Sequence, residues 1–418
     1  MTEIPSAGQA GRPGSQDPAG MAGGVLRSLP KISLHDHLDG GMRPQTLLEL
    51  SAAAGREVPA DTADGLAAWI RGAADSGSLE RYLQTFQHAL AVLQDAGALR
   101  RTAREAVEDL ADDGVIHAEL RWAPEQHLSG GLSLGEAVDA VQEGLREGIA
   151  AAAGQGREIS AGQLLCAMRQ GARSPEIARL VVERFAPDEP GGVLGFDLAG
   201  PEDGFPPSAH REALDLLAQH LVPVTLHAGE GSGLGSLRSA VVDGRALRLG
   251  HGVRIVEDIE LSDAPDDDVS IELGELARWV RDRGIALEIC PRSNAQTGAV
   301  AAWRPPGNLV RVLGPGTDRH PVGFLHRAGF RVVIGPDNRL VSGSDITTEL
   351  GDLITLHGFT LDDVEALQRS GAQAAFLPLD RRLALEARIG AQFDAVRQSG
   401  IPLGLGDLMA AAPTAGQQ

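Results

Sequence analysis

The chain has 418 residues, 43% of them hydrophobic, with a net charge of −20 and a pI near 5.0. That charge argues against nucleic acid and anionic membranes as partners, because both are bound through a basic face. Two cysteines set in apolar runs, Cys166 and Cys290, exclude a secreted disulfide scaffold; with no transmembrane-length apolar window and no signal-peptide pattern, a soluble cytoplasmic protein is expected.

Residues 1–24 are mostly Gly, Pro, Ala and Ser and read as a disordered leader. Residues 411–418 read as a flexible tail, which leaves 25–410 as one domain. The first strand opens at KISLHDHLDGG, Lys31 to Gly41. Side chains two residues apart on a strand share a face, so His35 and His37 project together, with Asp39 one step further on. Paired imidazoles on stiff backbone suit a divalent metal, although H-x-H alone also fits a half-exposed strand.

A helix is expected from Pro44 to Ala54, then polar, Gly-punctuated sequence to Ser78. From Ser78 to Leu93 a helical stripe carries Leu79, Tyr82, Leu83, Phe86 and Leu90, either plain core or a lid over a pocket. A long helix then runs to Leu110. Strands follow at Val115–Trp122, Gln163–Met168, up to Asp197, up to His227, up to His251, at IALEIC and up to Asp337, with helices between, one of them at Ile271–Arg283.

Eight short apolar strands alternating with helices are the rhythm of a parallel βα array. No Gly-rich nucleotide loop follows the first strand, as an open doubly wound sheet would lead one to expect. Polar residues gather at the carboxyl ends of seven strands, and only a closed barrel brings those ends to one rim. The expected fold is therefore an α/β (β/α)8 TIM barrel with a helical insertion after strand 1.

In such a barrel strands one and eight are neighbours, so His35, His37, His227 and Asp337 can reach one point. Three imidazoles and a carboxylate suit zinc with a water in the open position, and a water so held attacks electron-poor carbon near neutral pH. Glu230, three residues past His227, is placed to act as an acid over the other face of a substrate, and His251 to take the water's proton or steady the resulting alkoxide. Lys31 is the only lysine and sits at the wrong end of its strand, so a carboxylated-lysine bridge between two metals is excluded. One metal ion is expected.

The motifs LHDHLDG, HAELRWAP, GFDLAG, TLHAGE, LGHG, EICPRSN with TGAV, and PDN before RLVSG run in order from about Leu29 to Leu379. In these the chain resembles the adenosine deaminase family of zinc hydrolases, particularly its high-GC bacterial branch. The resemblance implies hydrolytic release of the purine 6-amino group of adenosine or 2'-deoxyadenosine, a purine nucleoside being the small-molecule partner. It implies that one Zn2+ is held by His35, His37, His227 and Asp337, that Glu230 protonates N1, and that His251 assists the activated water. It implies further that the Gly200 N–H meets N3, that Asp39 accepts the ribose 5'-hydroxyl, and that the helix at Tyr82 to Phe86 is a hydrophobic gate. Adenine-specific relatives tend to carry Glu where Asp39 stands, which favours the nucleoside over adenine or a modified adenosine.

One departure is local. The family commonly ends strand eight with N-T-D-D, whereas this chain reads Gly335-Pro336-Asp337-Asn338. The second carboxylate would meet purine N7 only when protonated, while the Asn338 amide donates at any pH, so the contact is expected to persist with a changed pH profile. Pro336 fixes φ next to a metal ligand, and a tilt of Asp337 is expected. The altered motif is also the sole support for a nucleoside-binding paralogue without turnover, against which Glu230 and His251 speak. Glu119 and Arg121 are expected in barrel salt bridges, Cys290 in packing and His88 at the surface; Asp197 either orients the Gly200 loop or touches Glu230.

Overall fold

The computed structural model describes residues 24–263, 269–305, 315–316 and 318–399. The expected leader, apart from Gly24, and the expected tail lie outside them.

Each apolar run becomes a strand: β1 (Lys31–His37), β2 (Val115–Trp122), β3 (Ser160–Met168), β4 (Val193–Ala199), β5 (Thr225–Ala228) and β6 (Arg248–His251). A hairpin of β7 (Ile259–Asp263) and β8 (Val269–Leu273) intervenes before β9 (Ala286–Ile289) and β10 (Val332–Ile334). Leaving out the hairpin, the described residues hold eight parallel strands, in two ladders ordered β1-β2-β3-β4 and β10-β9-β6-β5. The ladders meet at both seams through single parallel bridges, Asp36 with Asp337 and Phe196 with Val224. The strands thus form the ring of a (β/α)8 barrel, with short bridges in place of continuous ladders at two of its eight joints.

The interior of the ring is charged. Arg121 donates to Asp197 Oδ2 at 2.9 Å, Glu288 Oε2 at 2.6 Å and Leu34 O at 2.6 Å. Arg248 pairs with Glu119 at 2.7 Å and Glu288 at 2.6 Å. Glu119 and Arg121 are therefore barrel ion pairs, with partners on other strands. Buried charges survive only when paired in this way.

Three stretches differ from the sequence reading. A helix at Ala63–Ala74, capped by Thr62, occupies part of the stretch read as irregular. The stripe from Ser78 to Leu93 is two short helices, Leu79–Gln84 and Gln87–Val92. They part where the Thr85 hydroxyl and N–H both take the Tyr82 carbonyl, at 2.7 and 3.1 Å, a local competition typical of threonine. Ile271 to Leu273 belong to β8, and the helix begins only at Glu275, because Asp258 from the preceding turn caps it by accepting the Ala277 N–H at 2.8 Å. That cap comes from outside the local sequence, so no local signal marked the boundary. Among the described residues no helix is long and apolar enough to cross a membrane.

Candidate active site

The rim at the strands' carboxyl ends is drawn together by β10. Gly335 lies so close to β1 that a Cβ there would stand 2.6 Å from His35 O. Past Pro336 the backbone turns into the left-handed region at Asp337 (φ 59°). Asp337 N–H then donates to His35 O at 3.1 Å, while its carbonyl accepts from His37 N–H at 2.7 Å. His251, ending β6, has φ 60°. Left-handed backbone at non-glycine residues is costly and gathers at functional sites.

The expected ligands converge. His37 Nε2 is 3.2 Å from His227 Nε2 and 3.3 Å from Asp337 Oδ1, and His35 Nε2 is also 3.3 Å from Asp337 Oδ1. Ligand atoms of His35, His227, His251 and Asp337 all lie within 4.8 Å of one another. Five side chains thus crowd one point, and their other contacts separate them. His35 Nδ1 is held by Glu288 at 2.9 Å and His227 Nδ1 by Asp197 at 2.9 Å, which turns the Nε2 lone pairs inward. His251 is engaged at both nitrogens, by Asn294 at 2.9 Å and by Glu230 Oε2 at 3.3 Å. His35 Nε2 is fully buried and faces Asp337 Oδ1 without a well-formed hydrogen bond among the described residues, a place suited to a cation between them.

The electrostatics are those of a dry site. Burial holds the His37 and His251 imidazoles well below their ordinary range, hence neutral, with neighbouring histidines adding to the effect. Burial pushes the Glu230 carboxyl well above its ordinary range, and the charges of Asp337 and Glu202 push it further. Both effects favour the protonated carboxylic acid, and among the described residues its Oε1 is buried without a hydrogen-bond partner. Burial opposes ionisation of Asp197 and Asp337 too, yet their basic neighbours win and both stay charged.

A cavity of about 370 Å³ opens on this cluster. Its lining includes His37, His227, His251, Asp337 and Glu230, together with Asp39, Tyr82, Phe86, Gly200 and Asn338, while His35 lies beneath. Asp39 accepts its neighbour's Gly40 N–H at 3.0 Å and stands 3.9 Å from His127; burial raises its pKa to about 6. Gly200 (φ 97°) packs where a Cβ would meet Gln170 Oε1 at 2.5 Å. The Phe86 ring meets His37 edge-on, with centroids 6.4 Å apart. Asn338 donates to the Tyr82 hydroxyl at 2.9 Å.

Sequence reasoning passed over Glu202, Glu288, Ser293 and Asn294. Glu202 accepts the N–H groups of Gly229, Glu230, Gly231 and Ser232 at 2.6 to 3.0 Å and so fixes the turn that carries Glu230. Its only sequence signal was its place two residues after Gly200. Ser293 donates to Asp337 Oδ2 at 2.6 Å, from inside a quoted motif to which no role was given. Asp197, left between two partners, touches neither of them among its hydrogen bonds and serves His227 and Arg121 instead. Cys290 is buried, and His88 is half-buried with its ring against Trp69.

The protein-family profile described as Adenosine deaminase matches residues 30–392. "Adenosine deaminase 1" of Streptomyces coelicolor is 47% identical over 361 residues, 86% of each chain. "Adenosine deaminase" of Mycolicibacterium vanbaalenii is 47% identical over 86% of this chain and 94% of its own. In three dimensions the chain is similar to an amidohydrolase from Burkholderia ambifaria solved with bound zinc, with a TM-score of 0.72 at 22% identity over 90% of this chain and 94% of that one. That likeness speaks for the fold alone. With a matching profile over most of its length and relatives this similar, the chain belongs to the adenosine deaminase family.

Proposed function

We propose that this protein hydrolyses adenosine and 2'-deoxyadenosine to inosine and 2'-deoxyinosine with release of ammonia. One zinc ion would be held by His35, His37, His227 and Asp337, three imidazoles and a carboxylate that form a fitting donor set. When bound, such an ion supplies Lewis-acid activation of a water. The observation that carries the reading is Glu230: a buried carboxyl 3.3 Å from His251, lining the same cavity as the ligand cluster, with its pKa pushed up by burial.

The residues divide the proton work. The purine lies in the cavity with N1 toward Glu230, N3 toward the Gly200 N–H, N7 toward Asn338 and the ribose toward Asp39, under the Tyr82 and Phe86 lid. As water oxygen bonds to C6, neutral His251 takes one of its protons and Glu230 gives its own to N1. The C6–N6 bond then breaks, the new hydroxyl's proton leaves with the nitrogen as ammonia, and the 6-oxo product remains. The proton held by His251 returns to Glu230 across their 3.3 Å contact. Asp197 and Glu288, by holding the Nδ1 atoms of His227 and His35, keep both rings in the metal-binding tautomer.

Relatives named for adenosine deamination support this substrate, and a charge of −20 favours a free nucleoside in a cytoplasmic setting over a nucleic acid. The test is ammonia release from adenosine, 2'-deoxyadenosine, adenine and AMP by the zinc-loaded protein, with elemental analysis alongside. Both nucleosides should be deaminated far faster than adenine or AMP, at one zinc per chain. A protein holding one zinc that releases no ammonia from either nucleoside would refute the assignment.

A further inference from the structure

Tyr82 is the only tyrosine in the chain and sits, buried, on the lid helix Leu79–Gln84. An aromatic ring suffices to close an apolar lid, yet this one carries a hydroxyl with a full set of partners. It accepts from Asn338 Nδ2 at 2.9 Å, shares a 2.7 Å hydrogen bond with Ser342 Oγ and lies 3.4 Å from Asp337 Oδ2. One hydroxyl therefore ties the lid to the segment that carries Asp337 and Asn338.

The tie also settles which way round the Asn338 amide sits. Among the described residues its Oδ1 is buried with no hydrogen-bond partner, and it presses on Gly40, where a Cβ would stand 1.9 Å from it. A carbonyl tolerates that contact with Cα–H, whereas an NH2 group in its place would leave two donors unmade. With Oδ1 against Gly40, one N–H of Nδ2 goes to Tyr82 and the second remains for a ligand in the cavity that Asn338 lines.

We propose that Tyr82 is a positioning residue whose hydroxyl orients the Asn338 amide, so that its free N–H meets an acceptor on the five-membered ring of the purine. This rests on the reading of the cavity as a purine nucleoside site. The pair of Tyr82 and Asn338 makes a donor at every pH and selects for a lone pair at that ring position. Phenylalanine at 82 would keep the lid's ring and release the amide to rotate.

The test uses full-length, zinc-loaded protein, with zinc content measured for every variant because Tyr82 also approaches Asp337. In Tyr82→Phe the KM for adenosine should rise about tenfold with kcat within about twofold, the pattern of a lost ground-state hydrogen bond. The inhibition constant of 7-deazaadenosine, which has C–H in place of N7, should stay within about twofold. An equal change for both nucleosides, or an unchanged KM, overturns the proposal. Because the tyrosine is unique, 3-fluorotyrosine incorporation gives a single 19F resonance. That resonance should move in Asn338→Ala, and a resonance unmoved there overturns the latch independently of turnover. A wild type inert toward adenosine would refute the proposed function instead, a failure separable from that of Tyr82→Phe.

Discussion

At Glu230 the charge of Arg169 is outweighed, and that defines its use. Burial and two neighbouring carboxylates push its pKa well up, and the residue lines the cavity. Glutamine in its place keeps the shape and removes the proton. For Glu230→Gln the expected loss in kcat is roughly 10²- to 10⁴-fold, with KM changed only a few-fold and zinc content unchanged. A variant retaining more than about a tenth of wild-type kcat would show that the proton comes from elsewhere. At this scale the sequence spoke clearly where spacing encodes direction: His35 and His37 share a face because strands alternate. It was silent on the left-handed backbone at His251 and Asp337, which depends on how β6 and β10 end against their neighbours. Asn338 shows the same limit, since its sequence position does not reveal that one N–H is spent on Tyr82.

Turns and short helices decide how the rim is shaped, and they were the least legible. The turn after β5 has four N–H groups pointing one way, and the Glu202 carboxylate, from the loop after β4, takes all four. No local pattern announces such a clasp, because donor and acceptor are about thirty residues apart in sequence. The same holds for the helix start at Glu275, set by Asp258. Long helices read well because their caps are local, as in the Ser133 and Glu136 capping box. Removing the clasp should loosen the turn and let Glu230 drift. Glu202→Ala is expected to lower kcat by about 10- to 100-fold, since small misplacements of a catalytic group are costly. It should also cost about 3 kcal/mol in urea unfolding, because charge-assisted hydrogen bonds vanish and buried donors remain. Normal kcat alongside lowered stability would assign Glu202 a purely structural role.

The whole molecule joins an acidic surface to a barrel whose buried charges are mostly paired, and the pattern of strand-end polar residues foretold that closed ring from residues more than three hundred positions apart. What the sequence did not foretell is which buried acids stay neutral, because that depends on packing from several elements at once. Glu349 is such a case. Fully buried, it accepts from Ser344 Oγ at 2.6 Å, and burial raises its pKa from 4.5 to about 8 despite that bond and Arg292 nearby. Between pH 4.5 and 8 the folded protein therefore keeps a proton that the unfolded chain releases. Folding stability from this group is complete below the unfolded pKa and declines as pH rises toward the folded one. Glutamine is neutral in both states and carries no such slope. Relative to wild type, Glu349→Gln should gain stability steadily from pH 5 to pH 8, by up to a few kcal/mol (roughly 1.4 per pKa unit). Comparing the two proteins cancels the other buried acids with raised pKa values, among them Glu230, Asp113, and Asp36 and Asp39, the last two near 6. Parallel stability curves for the two proteins across that window would mean that Glu349 is ionised in the fold.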